Sequence, residues 1–291
     1  MSYLRSWWLN MAATALTETI DPNALALFQR GDLDLDKEYW PGTAYAISGR
    51  NLLRAVSAWC VSMKTTSVDG SLLWDLCIFR YMFAGDTLAS NMVNIKSLDG
   101  SLDGYLPGGT LYELSGAGFR LLPTGTADAG YINTQLLPND LSPSSNALSV
   151  YLTQNDPTQV QVLIGAADSG DGGRFFDLVR VDNVLYFENS AGGMMQAPLP
   201  DQLGRMTGTR TSTSTASLYH RGKLLTTATN VVNDRYPIYT VGIGNRHGDT
   251  GAYITLSTLG ASDCWQGLTA GQEAAIYQIE QTYQTALKRA V

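Results

Sequence analysis

The chain has 291 residues, a net charge of −7 and only 15% charged residues, so Ser, Thr, Asn, Gln and Gly must supply most of its polarity. A chain of this length can bury a core without disulfides, and a hydrophobic share of 44% excludes disorder as its main state. The excess of acidic over basic residues, 26 against 19, argues against binding to nucleic acid or to an anionic membrane surface.

The cysteines and the amino-terminal segment indicate the cellular compartment in which the protein folds. Cys60, Cys77 and Cys264 are too widely spaced for a zinc site and are predicted to be small buried hydrophobic residues. Met1–Asn10 contains no apolar run of signal-peptide length, and no uncharged apolar stretch of about 18 residues follows. We therefore expect the protein to be made and folded in a cytoplasm.

Helices are predicted near both ends of the chain. Asp21 is a good N-cap for a short helix over Pro22–Gln29, in which proline takes the first helical position. Apolar residues at helical spacing predict a second helix between about Thr43 and Lys64. Thr269 and Gln272 form a capping-box pattern at the start of a carboxyl-terminal helix.

The region from about Gly104 to Ser257 has the composition and period of short β-strands separated by turns. Asp182-Asn183 and the quartet from His220 to Lys223 are tight-turn signals between such segments. The predicted strands are Asn146–Leu152, Gln159–Ile164, Arg174–Val181, Asn183–Phe187, Arg210–Tyr219, Lys223–Thr227, Ile238–Ile243 and Ala252–Leu256. This pattern predicts a mainly β protein, an antiparallel β-sandwich or jelly roll, with a helical region over residues 1–103 and the sandwich with its terminal helix over residues 104–291.

Several segments, taken in order, resemble a known family. They are Leu88–Ser97, a turn at Gly116–Gly118, Gly130–Thr134, Ala147–Leu152, a strand ending in Ile164-Gly165, a strand at Tyr253–Leu259, the Gly267–Thr269 step and the final helix. This layout resembles that of tailed-bacteriophage virion proteins with a concanavalin A-like, laminin-G-type sandwich. The resemblance implies a structural component of the capsid decoration, collar, tail or fibre, located in the virion after synthesis in a host cytoplasm.

The resemblance and the residues leave two functions open. The first is non-enzymatic assembly with other virion proteins and with copies of the same chain, in which Tyr3, Trp7 and Trp8 would be assembly contacts. These aromatic residues could equally pack against the chain's own helices or sandwich. The second is lectin-like binding of a host-surface glycan through loops at one end of the sandwich. The candidate glycan or cation residues are Asp168, Asp171, Asn245, His247 and Asp249.

Catalytic constellations are not apparent in the sequence. No Gly-x-Ser-x-Gly elbow accompanies His220 or His247. Asp177 and Asp182 are at odd spacing, and Glu188 is predicted to stand alone at a strand end, so no carboxylate pair for sugar hydrolysis is expected. We therefore predict that the protein is not an enzyme.

No cofactor is predicted, although calcium at the loop of Asp168 and Asp171 stays open. The alternating acids Asp32, Asp34 and Asp36 resemble the start of a calcium loop, but Lys37 stands where such a loop needs glycine. A solvated acidic loop is the better interpretation of this segment.

Overall fold

The computed structural model describes residues 19–122, 130–156, 160–168, 174–189, 194–229, 236–247 and 255–291, apart from the side chain of His247. Its helices are α1 (Pro22–Arg30), α2 (Gly49–Thr65), α3 (Leu73–Leu76), α4 (Leu88–Met92) and α5 (Ala270–Ala286), with a 3₁₀ turn at Pro138–Asp140. Its strands are β1 (Glu38–Tyr39), β2 (Ile47–Ser48), β3 (Ser67–Val68), β4 (Ser71–Leu72), β5 (Cys77–Tyr81), β6 (Leu111–Ser115), β7 (Gly118–Leu122), β8 (Ile132–Asn133), β9 (Asn146–Gln154), β10 (Val160–Asp168), β11 (Arg174–Val181), β12 (Val184–Asn189), β13 (Met194–Pro198), β14 (Gly204–Arg210), β15 (Thr215–His220), β16 (Lys223–Thr229), β17 (Gly242–Ile243), β18 (Arg246–His247) and β19 (Thr258–Trp265).

Two sheets form the sandwich. The larger sheet has the strand order β16-β15-β14-β9-β19-β7-β6, and β5 also pairs with β19. The smaller sheet has the order β13-β12-β11-β10-β17-β8, with β18 paired to β10 in parallel. The other pairings in both sheets are antiparallel, which confirms the predicted mainly β, antiparallel sandwich.

Two hydrophobic cores give the molecule three layers. One core fills the space between the sheets, where Leu148 and Val150 of the larger sheet share a cluster with Leu178 and Phe187 of the smaller. The other lies between the helices and the outer face of the larger sheet, and contains Trp265. The helices thus cover the larger sheet, while outward side chains on β12 and β13 of the smaller sheet are exposed or half-buried.

A buried ion cluster fixes α5 to the larger sheet. Arg205 of β14 donates through Nε to Glu273 of α5 at 3.0 Å, and its Nη1 lies 3.1 Å from Asp263 of β19. Arg80 of β5 lies 2.5 Å from the same Asp263 carboxylate and also contacts Glu280 of α5. All five side chains are at least 99% buried, so each charge is stabilised by its ion-pair partners and not by water.

The predicted helices are confirmed, and the two helices with predicted caps use them. The Asp21 carboxylate accepts the backbone N–H of Asn23 at the start of α1. Thr269 and Gln272 form both halves of the capping box at the start of α5. The predicted helix at about Thr43–Lys64 begins later, at Gly49, where Ser48 supplies the cap. The three cysteines are free and buried, as predicted.

Three strand predictions need correction. Arg210–Tyr219 is not one strand, because β14 ends at Arg210 and β15 begins at Thr215. Between them, the Ser212 hydroxyl accepts the backbone N–H groups of Ser214 and Thr215 and closes a turn. The β-prone residues of this segment gave no sign of that turn. The segment Ile238–Ile243 is a strand only at Gly242–Ile243.

The last strand was also misplaced. It begins at Thr258, beyond the predicted Ala252–Leu256, of which residues 252–254 lie outside the described residues. The sequence of β19 contains Gly, Ala, Ser and Asp, which have low strand propensity, and it forms a strand because it is buried in the larger sheet between β9 and β5.

The division at residues 103/104 stays a prediction. β5, from the first part, pairs with β19 at the register Asp263↔Arg80, and Phe79 and Tyr81 belong to the core between the sheets. Trp59 and Trp265 are buried, whereas Trp74 is half-buried against the helical core. None of the helices named above combines the length and apolar content that crossing a bilayer requires.

Candidate functional site

Four residues lie side by side across four neighbouring strands of the smaller sheet. Gly165 of β10 is the register partner of Arg246 of β18 on one side and of Asp177 of β11 on the other, and Asp177 is the partner of Glu188 of β12. Register partners project to the same face of a sheet. We call Arg246, Gly165, Asp177 and Glu188 the charged row.

The Arg246 side chain connects the row. Its Nε forms an ion pair with the Asp177 carboxylate, and its Nη2 lies 3.8 Å from Glu188 Oε2. Its guanidinium carbon also lies 4.7 Å from the centre of the Phe175 ring, within the range of a cation–π contact. One guanidinium therefore faces two carboxylates and one aromatic ring.

Gly165 makes this arrangement sterically possible. A Cβ at this position would lie 2.1 Å from the Cβ of Asp177, well inside the contact distance of two carbon atoms. Without a side chain on Gly165, Arg246 can extend across β10 to the acids on the far side. Glycine here is explained by close approach and not by an unusual backbone conformation.

The two acids hold protons more tightly than ordinary carboxyls do. Burial raises the pKa of Asp177 well above its usual value; Arg246 opposes the rise and the neighbouring Glu188 adds to it. Burial also raises the pKa of Glu188, again opposed by Arg246. One guanidinium thus opposes the effect of burial on two carboxyls.

The charged row lies beside an accessible surface. The Arg246 and Glu188 side chains retain 12% and 18% exposure, whereas Asp177 is fully buried. On the same face, Met194 is the partner of Glu188 on β13 and is 58% exposed. Tyr186, two residues from Glu188 along β12, is half-buried and adds an aromatic ring to this face.

Three of the residues predicted for a glycan or cation site lie on β10 or on, or directly before, β18, which pairs with it. Asp168 ends β10, with its Oδ2 3.7 Å from Arg174 Nη1. Asn245 precedes Arg246; its Oδ1 accepts the Arg246 N–H, and its buried Nδ2 has no hydrogen-bond partner among the described residues. The backbone of His247 pairs with Ala166, two residues before Asp168.

The other predicted site residues cannot be placed in this way. Asp171 and Asp249, and the predicted assembly contacts Tyr3, Trp7 and Trp8, lie outside the described residues. Within the described ranges, no group of three or more His, Cys, Asp or Glu side chains is arranged to hold a metal ion.

The prediction that Glu188 stands alone was wrong. It lies directly opposite Asp177, because β11 and β12 are joined by a tight turn at Asp182-Asn183. Counting outward from that turn pairs Val181 with Val184 and, four positions further, Asp177 with Glu188. The turn was visible in the sequence, so this pair could have been found by register; Arg246, which comes from a distant segment, could not.

The remaining candidates, His220 and the acidic loop, make contacts that serve the fold. His220 Nε2 lies 2.7 Å from the Leu203 carbonyl oxygen, and burial lowers the pKa of its imidazole. In the acidic loop, Asp36 forms an exposed ion pair with Arg50 at 2.8 Å.

Comparisons with known proteins give a likeness in fold. No family model and no curated protein matches the chain. The solved structure of Trypanosoma rangeli sialidase in complex with sialic acid is 12% identical, with a TM-score of 0.54, over 78% of this chain and 38% of the sialidase. The CBM40 of the Ruminococcus gnavus IT-sialidase is 16% identical, with a TM-score of 0.37, over 46% of this chain and 83% of the module. The chain thus spans about two-fifths of the length of the sialidase.

Proposed function

We propose that this protein binds a glycan at the outer face of the smaller sheet and that the charged row forms the centre of the site. The observation that carries the proposal is the row itself. On this face the Arg246 guanidinium meets two carboxyls and the Phe175 ring, and Arg246 and Glu188 keep 12% and 18% of their side-chain surface exposed.

The chemistry of a sugar fits this set of groups. A sugar ring presents hydroxyls that both donate and accept hydrogen bonds, and the row offers donors on Arg246 and acceptors on Glu188 at fixed positions. The apolar face of a sugar can pack on an aromatic ring such as Tyr186. Because the groups stand on strands, their positions are set before the ligand arrives, which lowers the entropic cost of binding.

The likeness to a sialidase solved with sialic acid accords with this proposal but concerns the fold. A fold alone carries no function, so the proposal depends on the side chains of the row. Of the two functions that the sequence leaves open, assembly in a virion and glycan binding, the polar groups of the charged row and the Phe175 ring beside them favour glycan binding.

A glycan array tests the proposal. Glu188→Gln keeps the shape of the side chain and removes its charge, and we expect it to weaken binding about tenfold or more, since a hydrogen bond to a charged group contributes about 1.5–3 kcal/mol. The matched control is Glu113→Gln, the same change at an exposed position on β6 of the other sheet. Equal binding by both variants, or no binding by the unaltered protein, would refute the site.

The same array addresses the predicted loops and calcium. It is run with and without calcium on Asp171→Ala and Asp249→Ala. Binding that depends on calcium and on these two residues would place the ligand at the loops instead of the row; binding that is indifferent to both would leave the row as the site.

The non-enzymatic character of the protein is part of the proposal. Asp177 and Glu188 face the same guanidinium, so neither stands as a free nucleophile opposite a free acid. We expect no release of sugar when the protein is incubated with bacterial surface polysaccharide, and measurable hydrolysis would overturn this assignment.

A further inference from the structure

Positive charge is scarce on the outer face of the smaller sheet. Apart from β11, the described strands of this sheet contain one Lys or Arg residue, Arg246. β11 contains Arg174 and Arg180, but each lies three residues from Asp177 and therefore projects to the opposite face of the strand. Among the strands that the structure describes, Arg246 thus supplies the only guanidinium or ammonium group on this face.

This guanidinium already faces two acids. Its Nε pairs with the Asp177 carboxylate, and its Nη2 lies 3.8 Å from Glu188 Oε2. Burial raises the pKa of both acids, and a proton on either of them would leave the row neutral and not cationic. A ligand carboxylate that approached Arg246 would compete with Asp177 and lie close to Glu188, where partial burial strengthens the repulsion between like charges.

The segments that continue these strands in sequence bring no further base. Residues 169–173 follow β10, residues 190–193 follow β12, and residues 248–254 follow β18. Their sequences contain Asp171 and Asp249 and no Lys or Arg. The chain as a whole carries a net charge of −7. The local sequence and the overall charge therefore both oppose the approach of an anion.

The exposed hydrogen-bonding groups beside the row are uncharged. Tyr186 and Gln196 are register partners on β12 and β13, two residues from Glu188 and Met194, and lie on the same face. Tyr186 is half-buried and Gln196 is exposed. A phenol and a primary amide each donate and accept hydrogen bonds, as the hydroxyls of a sugar do. They can therefore bind a sugar without any charge on the ligand.

We propose that the site on the charged row binds uncharged glycans and rejects glycans that carry carboxylate or sulfate groups. This inference rests on the proposed glycan-binding function and names its ligand class. Glu188 accepts a hydrogen bond from a sugar hydroxyl, and Arg246 keeps its ion pair with Asp177. The same Glu188 carboxyl repels an acidic sugar, so a single side chain supports the favoured ligand and excludes the other class.

The glycan array tests the inference through pairs of sugars whose members differ in charge. The pairs are oligomers of glucose and of glucuronic acid, oligomers of galactose and of galacturonic acid, and lactose and 3′-sialyllactose. We expect the strongest ligands on the array to be uncharged. In each pair that binds, the neutral member should bind about tenfold or more tightly than its acidic counterpart at low salt. Raising the salt from about 0.01 M to about 1 M shortens the Debye length from about 30 Å to about 3 Å and should narrow this difference.

Glu188→Gln distinguishes charge repulsion from a preference in shape. The variant keeps the size of the side chain and removes one negative charge from the row. We expect it to weaken binding of the neutral sugar and to reduce the preference for that sugar over the acidic one several-fold. Glu113→Gln, at an exposed position of β6, removes the same charge from the other sheet and should leave the preference unchanged.

The two proposals fail in different ways. Acidic sugars that bind as tightly as their neutral counterparts, or a preference that Glu188→Gln leaves unchanged, would overturn this inference while glycan binding stands. An array on which no glycan binds the unaltered protein would overturn glycan binding itself, and the inference with it.

Discussion

Gly165 is the residue on which the geometry of the charged row depends, because Arg246 reaches Asp177 only across the space that a side chain there would fill. Gly165→Ala is expected to destabilise the protein by about 1–3 kcal/mol, the usual cost of an overpacked site, and to weaken glycan binding. Denaturant unfolding and the glycan array measure the two effects.

Gly108→Ala is the control for this prediction. A Cβ at Gly108 would meet no atom within 4 Å, so the change adds the same methyl group without a clash. A Gly165→Ala protein as stable as Gly108→Ala would show that the close approach of β10 and β11 is not a constraint.

Asp263 compensates two buried guanidinium groups, and its removal should be among the most damaging single changes. Asp263→Asn leaves Arg80 and Arg205 short of negative charge in the interior, which typically costs about 3–5 kcal/mol. Asp36→Asn breaks an ion pair whose side chains are 59% and 43% exposed, and is expected to cost at most about 1 kcal/mol. Equilibrium unfolding of the two variants at neutral pH compares these costs directly.

The pKa of Asp263 also predicts how the free energy of unfolding depends on pH. Burial alone would raise its pKa, but Arg205 and Arg80 outweigh burial, so the pKa is lowered from its usual value. A carboxyl with a depressed folded-state pKa contributes stability above its unfolded pKa, and this contribution is lost as the pH falls through the folded value. The free energy of unfolding should therefore fall below about pH 4 more steeply in the unaltered protein than in Asp263→Asn. Parallel curves for the two proteins would contradict this role.

The capping box of α5 is the element-scale feature that the sequence specifies most fully. Thr269→Ala removes the hydroxyl that accepts the Gln272 N–H, and we expect a loss of about 1 kcal/mol in the free energy of unfolding. Thr285→Ala, at an exposed position within the same helix, should be neutral or slightly stabilising because alanine is the better helix former. A Thr269→Ala protein no less stable than Thr285→Ala would refute the contribution of the cap.

The elements that could be predicted from sequence are those whose signals are local. A few adjacent residues specify each of these signals, and each was predicted: the caps at Asp21 and Thr269 and the turn at Asp182-Asn183. β19 was misplaced because its strand character comes from burial between neighbours that are remote in sequence. For the same reason, the sequence does not reveal that Arg246 belongs to the charged row, because it joins the row through the pairing of β18 with β10.

At the scale of the whole molecule, the layered arrangement decides which surface is free for a ligand. The helices cover the larger sheet through the ion cluster and the helical core, whereas the outward side chains of β12 and β13 on the smaller sheet are exposed or half-buried. The proposed glycan site therefore lies on the side of the sandwich opposite the helices.

A role in a tailed-phage virion, in contact with other virion proteins and copies of this chain, stays a prediction from the resemblance. Electron micrographs of particles labelled with an antibody to the chain test it. Label at one defined position on the head, collar, tail or fibre is the expected result. A purified protein that stays monomeric at high concentration and has no affinity for virion components would argue against it.

The most direct test of the central claim is a crystal structure with the glycan that binds most strongly on the array. We expect a sugar ring on the outer face of the smaller sheet, with hydroxyls within hydrogen-bond distance of Arg246 and Glu188. A sugar bound at another surface, with the charged row left in contact with solvent alone, would contradict it.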